Sequence, residues 1–352
     1  MSRFYKYERL TPYTPGEQPR DMQYIKLNTN ESPFPPSPKA QQLAAQEAGR
    51  LQLYSDPECR ELVAVAAGVF GVGEDELLFT NGSDEILNFA FMAFCDGEHP
   101  VVFPDISYGF YKVFAQLNGI PYEPIPLQED FSIRPEDYWD LNKTIVIANP
   151  NAPTGLCLSA GDIEQILQHN PDSVVVIDEA YVDFGGESVI PLIHRYDNLL
   201  VTGTFSKSRS LAGGRLGFGI GCADLIRDLN TVKYSTNPYN VNRMTMAAGV
   251  GTLLDEDYTR ANCRAIMEVR EWTKRRMEEM GFRLTDSRAN FLFAMHPGAD
   301  GKEIYLRLKE KGVLIRHFDA PRLEAYNRIT VGSREQMEAF LEKLSQVLEE
   351  LL

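Results

Sequence analysis

Between about residues 75 and 220, short continuous apolar runs alternate with amphipathic stretches. The runs Leu77–Thr80, Val101–Phe103, Thr144–Ala148, Val174–Ile177, Leu199–Thr202 and Leu216–Ile220 lack the alternation of a half-solvated strand. They predict strands covered on both faces of one sheet. Segments Ser83–Phe94, Ser107–Leu117 and Ser159–Gln168 read as the intervening helices, and such alternation predicts an α/β fold with a mainly parallel central sheet. The pattern changes near residue 255. Glu256–Met280 reads as one long charged helix ending at Gly281, a favoured residue just past a helix terminus. Phe291–Met295, a helix near Lys302–Lys311, Val313–Arg316, Arg328–Val331 and a final helix Arg334–Leu351 then predict a smaller α+β unit.

The first 40 residues are rich in proline and carry Tyr5, Tyr7, Tyr13, Tyr24 and Phe34. Proline fixes φ and removes backbone donors, and a disordered tail carries few aromatics, so an extended arm draped on a neighbouring surface is expected. The division predicted is an arm over 1–35, a large domain over 36–255 and a small domain over 256–352, with the arm packing on the small domain.

Composition adds exclusions. The 352 residues carry a net charge of −15, which argues against a nucleic-acid partner, because phosphate binding needs a basic surface. No apolar run reaches the length of a membrane span, and the early charges Arg3, Lys6, Glu8 and Arg9 are followed by no apolar stretch, so no secretory leader is expected. Five scattered cysteines, with no C-x-x-C pair, and five dispersed histidines predict reduced thiols, a cytoplasmic protein and no metal site.

Candidate chemistry collects after the predicted strands, where ligands of open α/β sheets bind. Leu77–Thr80 runs into Asn81-Gly82-Ser83-Asp84-Glu85, where free amides at a helix start suit a phosphate, or Ser83 or Asp84 simply caps the helix. The run Val174–Ile177 ends in Asp178-Glu179-Ala180-Tyr181. A buried acid needs a cation, either an arginine or a protonated heterocycle nitrogen. Thr204, Ser206, Lys207 and Arg215 share a glycine-rich loop. Hydroxyls and an arginine make a phosphate cradle, and a lysine desolvated inside it can form a Schiff base. The chain has neither a P-loop nor a complete dinucleotide fingerprint. An aldehyde for Lys207, a pyridine nitrogen for Asp178 and a phosphate for Gly82, Ser83, Asp84, Ser206 and Arg215 together describe pyridoxal 5′-phosphate.

Here the chain resembles the fold-type I pyridoxal-phosphate enzymes and, within them, the histidinol-phosphate aminotransferases. The resemblance runs through Leu10-Thr11-Pro12-Tyr13, Leu27-Asn28-Thr29-Asn30-Glu31, Tyr54, Asn81–Glu85, Tyr108-Gly109, Asn149–Gly155, Asp178–Tyr181, Ser206-Lys207, Arg215, Arg316 and Arg328–Gly332. It implies that Lys207 holds the cofactor and shuttles the substrate proton, and that Asp178 keeps the pyridine nitrogen protonated. By the same resemblance Tyr108 stacks on the ring, Tyr181 bonds the phenolic oxygen, and the Ser83 and Asp84 amides join Thr204, Ser206 and Arg215 around the phosphate. Tyr54 is implied to reach the phosphate of the other subunit of a homodimer. Arg328 is implied to clamp the α-carboxylate of glutamate, Arg316 and Tyr13 the substrate phosphate, and Asn30 lies in the substrate-binding segment. The family usually places asparagine immediately before Pro-Thr-Gly; this chain has Ala152 there, with Asn151 one residue earlier as the candidate substitute. Tyr181 is therefore expected to carry more of the interaction with the phenolic oxygen. The activity implied is transamination between histidinol phosphate and 2-oxoglutarate, in histidine biosynthesis. Threonine-phosphate decarboxylation and aromatic amino acid transamination are the alternatives, and a pyridoxal-phosphate-binding regulator is disfavoured because no DNA-binding unit is left over.

Overall fold

The structure is a computed structural model that describes residues 5, 7 and 10–352. The charges at Arg3, Lys6, Glu8 and Arg9, and part of the arm assigned to 1–35, lie outside the described residues. In chain order the first elements are β1 (Ile25–Lys26), α1 (Pro38–Glu47), α2 (Arg60–Phe70), β2 (Leu77–Thr80), α3 (Ser83–Phe94), β3 (Val101–Pro104), α4 (Phe110–Asn118) and β4 (Tyr122–Ile125). There follow β5 (Thr144–Ala148), α5 (Ala160–His169), β6 (Val175–Asp178), β7 (Leu199–Thr204), β8 (Gly217–Gly221), α6 (Ala223–Thr236), α7 (Arg243–Leu253) and α8 (Glu256–Glu279). The chain ends with β9 (Arg283–Leu284), β10 (Phe291–Met295), α9 (Gly301–Glu310), β11 (Val313–Leu314), β12 (Arg316–His317), β13 (Tyr326–Thr330) and α10 (Arg334–Leu351).

The central sheet has seven strands in the order β2-β8-β7-β6-β5-β3-β4. Only β8 runs antiparallel to its neighbours; the remaining pairs are parallel. Every residue of β2, β3, β5, β6, β7 and β8 is buried, the physical reason these strands read as unbroken apolar runs. The edge strand β4 is the exception. Its sequence Tyr-Glu-Pro-Ile is part exposed, and proline is tolerated at an edge whose N–H groups face outward. Two apolar layers flank the sheet, one including Leu62, Ile147, Ile177 and Val201 and the other Ile86, Phe91, Val146 and Val176.

A second, antiparallel sheet of order β12-β13-β10-β9 is backed by α9 and α10 through Leu292, Ile304, Leu308, Ile329, Phe340 and Leu344. The single strand expected over Val313–Arg316 is divided. β11 leaves this sheet and pairs in parallel with β1 of the N-terminal segment, while β12 pairs with β13. The period-2 alternation of a strand cannot reveal which partner each half will take. The arm is further held by Glu17, which bonds Tyr305 and Lys309 of α9.

Candidate active site

Strands β2, β3, β5, β6 and β7 are mutually parallel, so the segments that leave them all emerge at one edge of the sheet. The antiparallel β8 enters at that same edge. Thr80 pairs with Gly217 and Thr204 with Gly217, which brings the segments after β2 and β7 to a residue two positions beyond Arg215. Around this convergence lies a cavity of about 270 Å³, bordered by Ser83, Asp84, Tyr108, Ala152, Asp178, Tyr181, Thr204, Ser206, Lys207 and Arg215, with Thr29 and Glu31 from the arm. Segments separated by up to 186 residues in sequence thus share one wall.

At the floor, Asp178 ends β6 and is buried. Its Oδ2 accepts the Tyr111 hydroxyl at 2.9 Å, whereas its Oδ1 has no protein partner. Burial pushes the carboxyl up to about 6, opposed by the Tyr111 bond and the Ala180 amide. A buried carboxylate oxygen without a donor is costly, and a cationic N–H from a ligand relieves that cost. Tyr111 escaped the sequence reading. It lies three residues after Tyr108, which precedes α4; on the helix read over Ser107–Leu117 that spacing puts both rings on one face, and this was the available signal.

Lys207 reaches across the cavity to the carbonyl of Thr29 at 3.2 Å. Burial lowers its amine to about 8, and the Arg328 guanidinium acts in the same direction. Depressed amine affinity for protons of this kind marks lysines that act as nucleophiles at neutral pH.

The opposite end is built for an anion. The N-cap of α3 is Gly82, and no side chain caps the helix start, so the capping role considered for Ser83 or Asp84 is not taken. The first-turn residues Ser83 and Asp84 border the cavity beside Arg215. Gly82 has φ 77, and a Cβ there would come within 2.5 Å of the Arg215 Nη2, so only glycine lets the guanidinium lie against this turn. Arg215 pairs with Asp84 at 2.9 Å, and Asp84 also accepts the Tyr108 hydroxyl at 2.6 Å. Thr204 Oγ1 lies 3.0 Å from Ser206 Oγ and accepts the Ser206 amide at 3.1 Å.

Other residues singled out in the sequence take different places. Asn151 does not border the cavity. Its amide donates to the Ile106 carbonyl and to Thr154 Oγ1 and accepts the Ser107 hydroxyl at 2.7 Å, so its polar atoms are consumed by Thr154 and the 106–107 segment, and the Ala152 methyl packs beside Tyr181 and Phe291. Asn30 also stays out of the cavity wall; its Nδ2 donates to the Tyr181 hydroxyl at 2.9 Å. Arg328 is half-buried, donates to the Asn28 carbonyl at 3.2 Å and lies 5.4 Å over the Phe291 ring; its Nε has no partner. Arg316 donates to the carbonyls of Thr14 and Pro15. The Tyr13 ring stacks on Phe110 at 4.4 Å and stands 6.1 Å from Tyr108. Tyr54 is 80% exposed, stacks on Tyr239 at 4.6 Å, and is absent from this chain's own cavity wall.

Known proteins are similar to this chain along nearly its whole length. The family description "Aminotransferase class I and II" matches residues 22–344. The chain is 48% identical to histidinol-phosphate aminotransferase 2 of Dechloromonas aromatica, with 99% of each chain covered. It is 45% identical to the histidinol-phosphate aminotransferase of Brachyspira hyodysenteriae, covering 97% of this chain and 98% of that one. Among solved structures, the histidinol-phosphate aminotransferase of Sinorhizobium meliloti in complex with pyridoxal 5′-phosphate superposes with a TM-score of 0.86 at 24% identity, covering 94% of this chain and 92% of that chain; it shares the fold-type I architecture. The chain belongs to the class I and II aminotransferases and, within them, to the histidinol-phosphate aminotransferases.

Proposed function

We propose that this protein is a pyridoxal-phosphate-dependent transaminase that exchanges the amino group between histidinol phosphate and 2-oxoglutarate. The observation that carries the reading is one cavity containing a desolvated lysine, an aspartate oxygen without a donor and an uncapped helix start beside Arg215. These are the three complements of an aldehyde, a protonated pyridine and a phosphate.

When bound, the cofactor supplies a carbonyl that takes up amine nitrogen and a cationic ring that accepts the electron pair released at the substrate Cα. The protein's own groups do the rest. Asp178 Oδ1 would accept the ring N–H, because Tyr111 fixes the other carboxylate oxygen. Arg215, Ser206, Thr204 and the Gly82, Ser83 and Asp84 backbone would hold the phosphate, Tyr108 would pack on the ring, and Tyr181 would offer its hydroxyl to the phenolic oxygen. Lys207 would hold the cofactor's aldehyde carbon through its neutral amine and, once the substrate's own amine had displaced it, would be free to take the proton from the substrate Cα and return one. Arg328, desolvated and with Nε unspent, binds the α-carboxylate of glutamate. Arg316 and Tyr13 at the arm receive the phosphate of the phosphorylated substrate.

The same reading makes the active unit a homodimer in which Tyr54 reaches the partner's phosphate site. Its support is an exposed apolar patch, Leu51, Leu53, Tyr54 and Tyr239, of the kind a monomer would cover. A large unit over 36–255 and a small one over 256–352, with the arm 1–35 on the latter, is supported by the pairing of β1 with β11. Five unpaired cysteines support a reducing, cytoplasmic location, and no helix among the described residues is long and apolar enough to cross a membrane.

A half-reaction tests the assignment. The loaded protein is mixed in turn with histidinol phosphate, phenylalanine and threonine phosphate, and the absorbance of the lysine-bound cofactor is followed. Rapid bleaching by histidinol phosphate, with recovery on adding 2-oxoglutarate, is expected. Carbon dioxide release from threonine phosphate without amino transfer would overturn it.

A further inference from the structure

Asn30 sits on the arm with φ 55, a left-handed conformation that asparagine tolerates better than most residues. All of its polar atoms are engaged. Its N–H donates to Thr330 Oγ1 at 2.9 Å, the Thr330 hydroxyl lies 3.1 Å from Asn30 Oδ1, Asn290 Nδ2 donates to its carbonyl at 3.0 Å, and its Nδ2 meets the Tyr181 hydroxyl at 2.9 Å.

In this set Thr330 Oγ1 accepts the backbone N–H and donates its own proton to Asn30 Oδ1. The amide oxygen thus faces Thr330 and the NH₂ end lies against Tyr181. Asn30 therefore donates to the Tyr181 oxygen, and the tyrosine's own proton is not consumed by it. Among the described residues no other acceptor takes that proton, and Tyr181 borders the cavity with its ring 5.9 Å from the Lys207 Nζ. Ala152 contributes only a methyl beside it.

We propose that Asn30 is a positioning residue that points the Tyr181 hydroxyl proton into the cavity, at the oxygen of the group condensed with Lys207, without touching substrate itself. The inference rests on the cofactor assignment above and goes beyond it. It assigns to Asn30 an action through Tyr181 in place of direct substrate contact. It also ties the phenol to β13, because Thr330 lies two residues from Arg328 and on the same strand face.

A donor at the phenolic oxygen stabilises its ionised form and loosens the proton held by the adjoining lysine nitrogen. Loss of that donor raises the pH at which the lysine-bound chromophore changes colour. Arg328, Asp178, Asp84, Tyr13, Tyr108, Tyr111 and Lys207 face Tyr181, and Arg328, Glu31, Asp84 and Arg215 face Lys207; all are kept in the variants below.

Asn30→Gly retains the backbone conformation and deletes the amide, while Asn30→Asp retains it and replaces the donor with an acceptor that captures the tyrosine proton. Absorbance titrations of the loaded proteins should place the colour change about half a pH unit higher for Asn30→Gly, and further still for Asn30→Asp. In a Tyr181→Phe background, Asn30→Gly should add no shift. A titration of Asn30→Gly that matches the unmodified protein, an equal shift in the phenylalanine background, or an Asn30→Asp shift no larger than that of Asn30→Gly would overturn the proposal. Failure of the unmodified protein to acquire a borohydride-reducible chromophore at Lys207 would instead overturn the cofactor assignment.

Discussion

Replacing Gly217 by alanine adds one methyl group at the place where β8 passes under the start of α3. Gly217 has an ordinary backbone conformation, so the effect is purely steric. The new Cβ would stand 2.3 Å from the Gly82 carbonyl carbon and 2.4 Å from the Ser83 nitrogen. Both are backbone atoms that no rotamer change can remove, and relief requires about 1 Å of displacement. Such overpacking costs about 1–3 kcal/mol of stability. The displaced atoms also belong to the proposed phosphate cradle. An amide moved by that distance loses a charge-assisted hydrogen bond, about 1.5–3 kcal/mol, or roughly ten- to a hundredfold in cofactor affinity. Gly213→Ala is the matched control, because a Cβ there meets nothing within 4 Å. Urea unfolding of the cofactor-free proteins and fluorescence titration with pyridoxal 5′-phosphate measure both effects. A Gly217→Ala protein that binds cofactor as tightly as Gly213→Ala would refute the assignment of the anion to this turn.

Three further outcomes are expected. Only the neutral amine of Lys207 is nucleophilic, and its affinity for protons is lowered to about 8; cofactor capture by the free protein, followed by stopped-flow absorbance, should accelerate about tenfold per pH unit below 8 and level off above it. Glu179 is buried against the Ser188 hydroxyl and the Val189 amide, and burial pushes its carboxyl up to about 8 from an ordinary 4.5. The folded state then keeps a proton that the unfolded chain releases, so stability is greatest below the unfolded value and falls by at most about 1.4 kcal/mol per pH unit as pH rises towards 8; Glu179→Gln should flatten this slope in urea titrations. Arg316→Ala removes the fork that grips Thr14 and Pro15 and the proposed phosphate contact; it should raise KM for histidinol phosphate by about tenfold or more while leaving the phenylalanine half-reaction within about twofold.

The local sequence determined most of the central sheet and the chemistry at its edge. Buried strands must be apolar throughout, so β2, β3, β5, β6, β7 and β8 announced themselves. Lys207, Asp178 and Arg215 stood out because charged groups at the ends of such strands need a reason to be there. Elements whose identity depends on neighbours were silent. The exposed edge β4 carries no apolar run, and the division of 313–317 between two sheets depends on where the arm lies. Tertiary structure alone decided the direction of the polar side chains. It turned Asn151 toward Thr154 and the distant 106–107 segment, set Tyr111 beneath Asp178, and carried Asn30 to Tyr181, 151 residues along the chain. A residue's type fixes what it can donate or accept; which partner it meets is fixed only when distant segments pack.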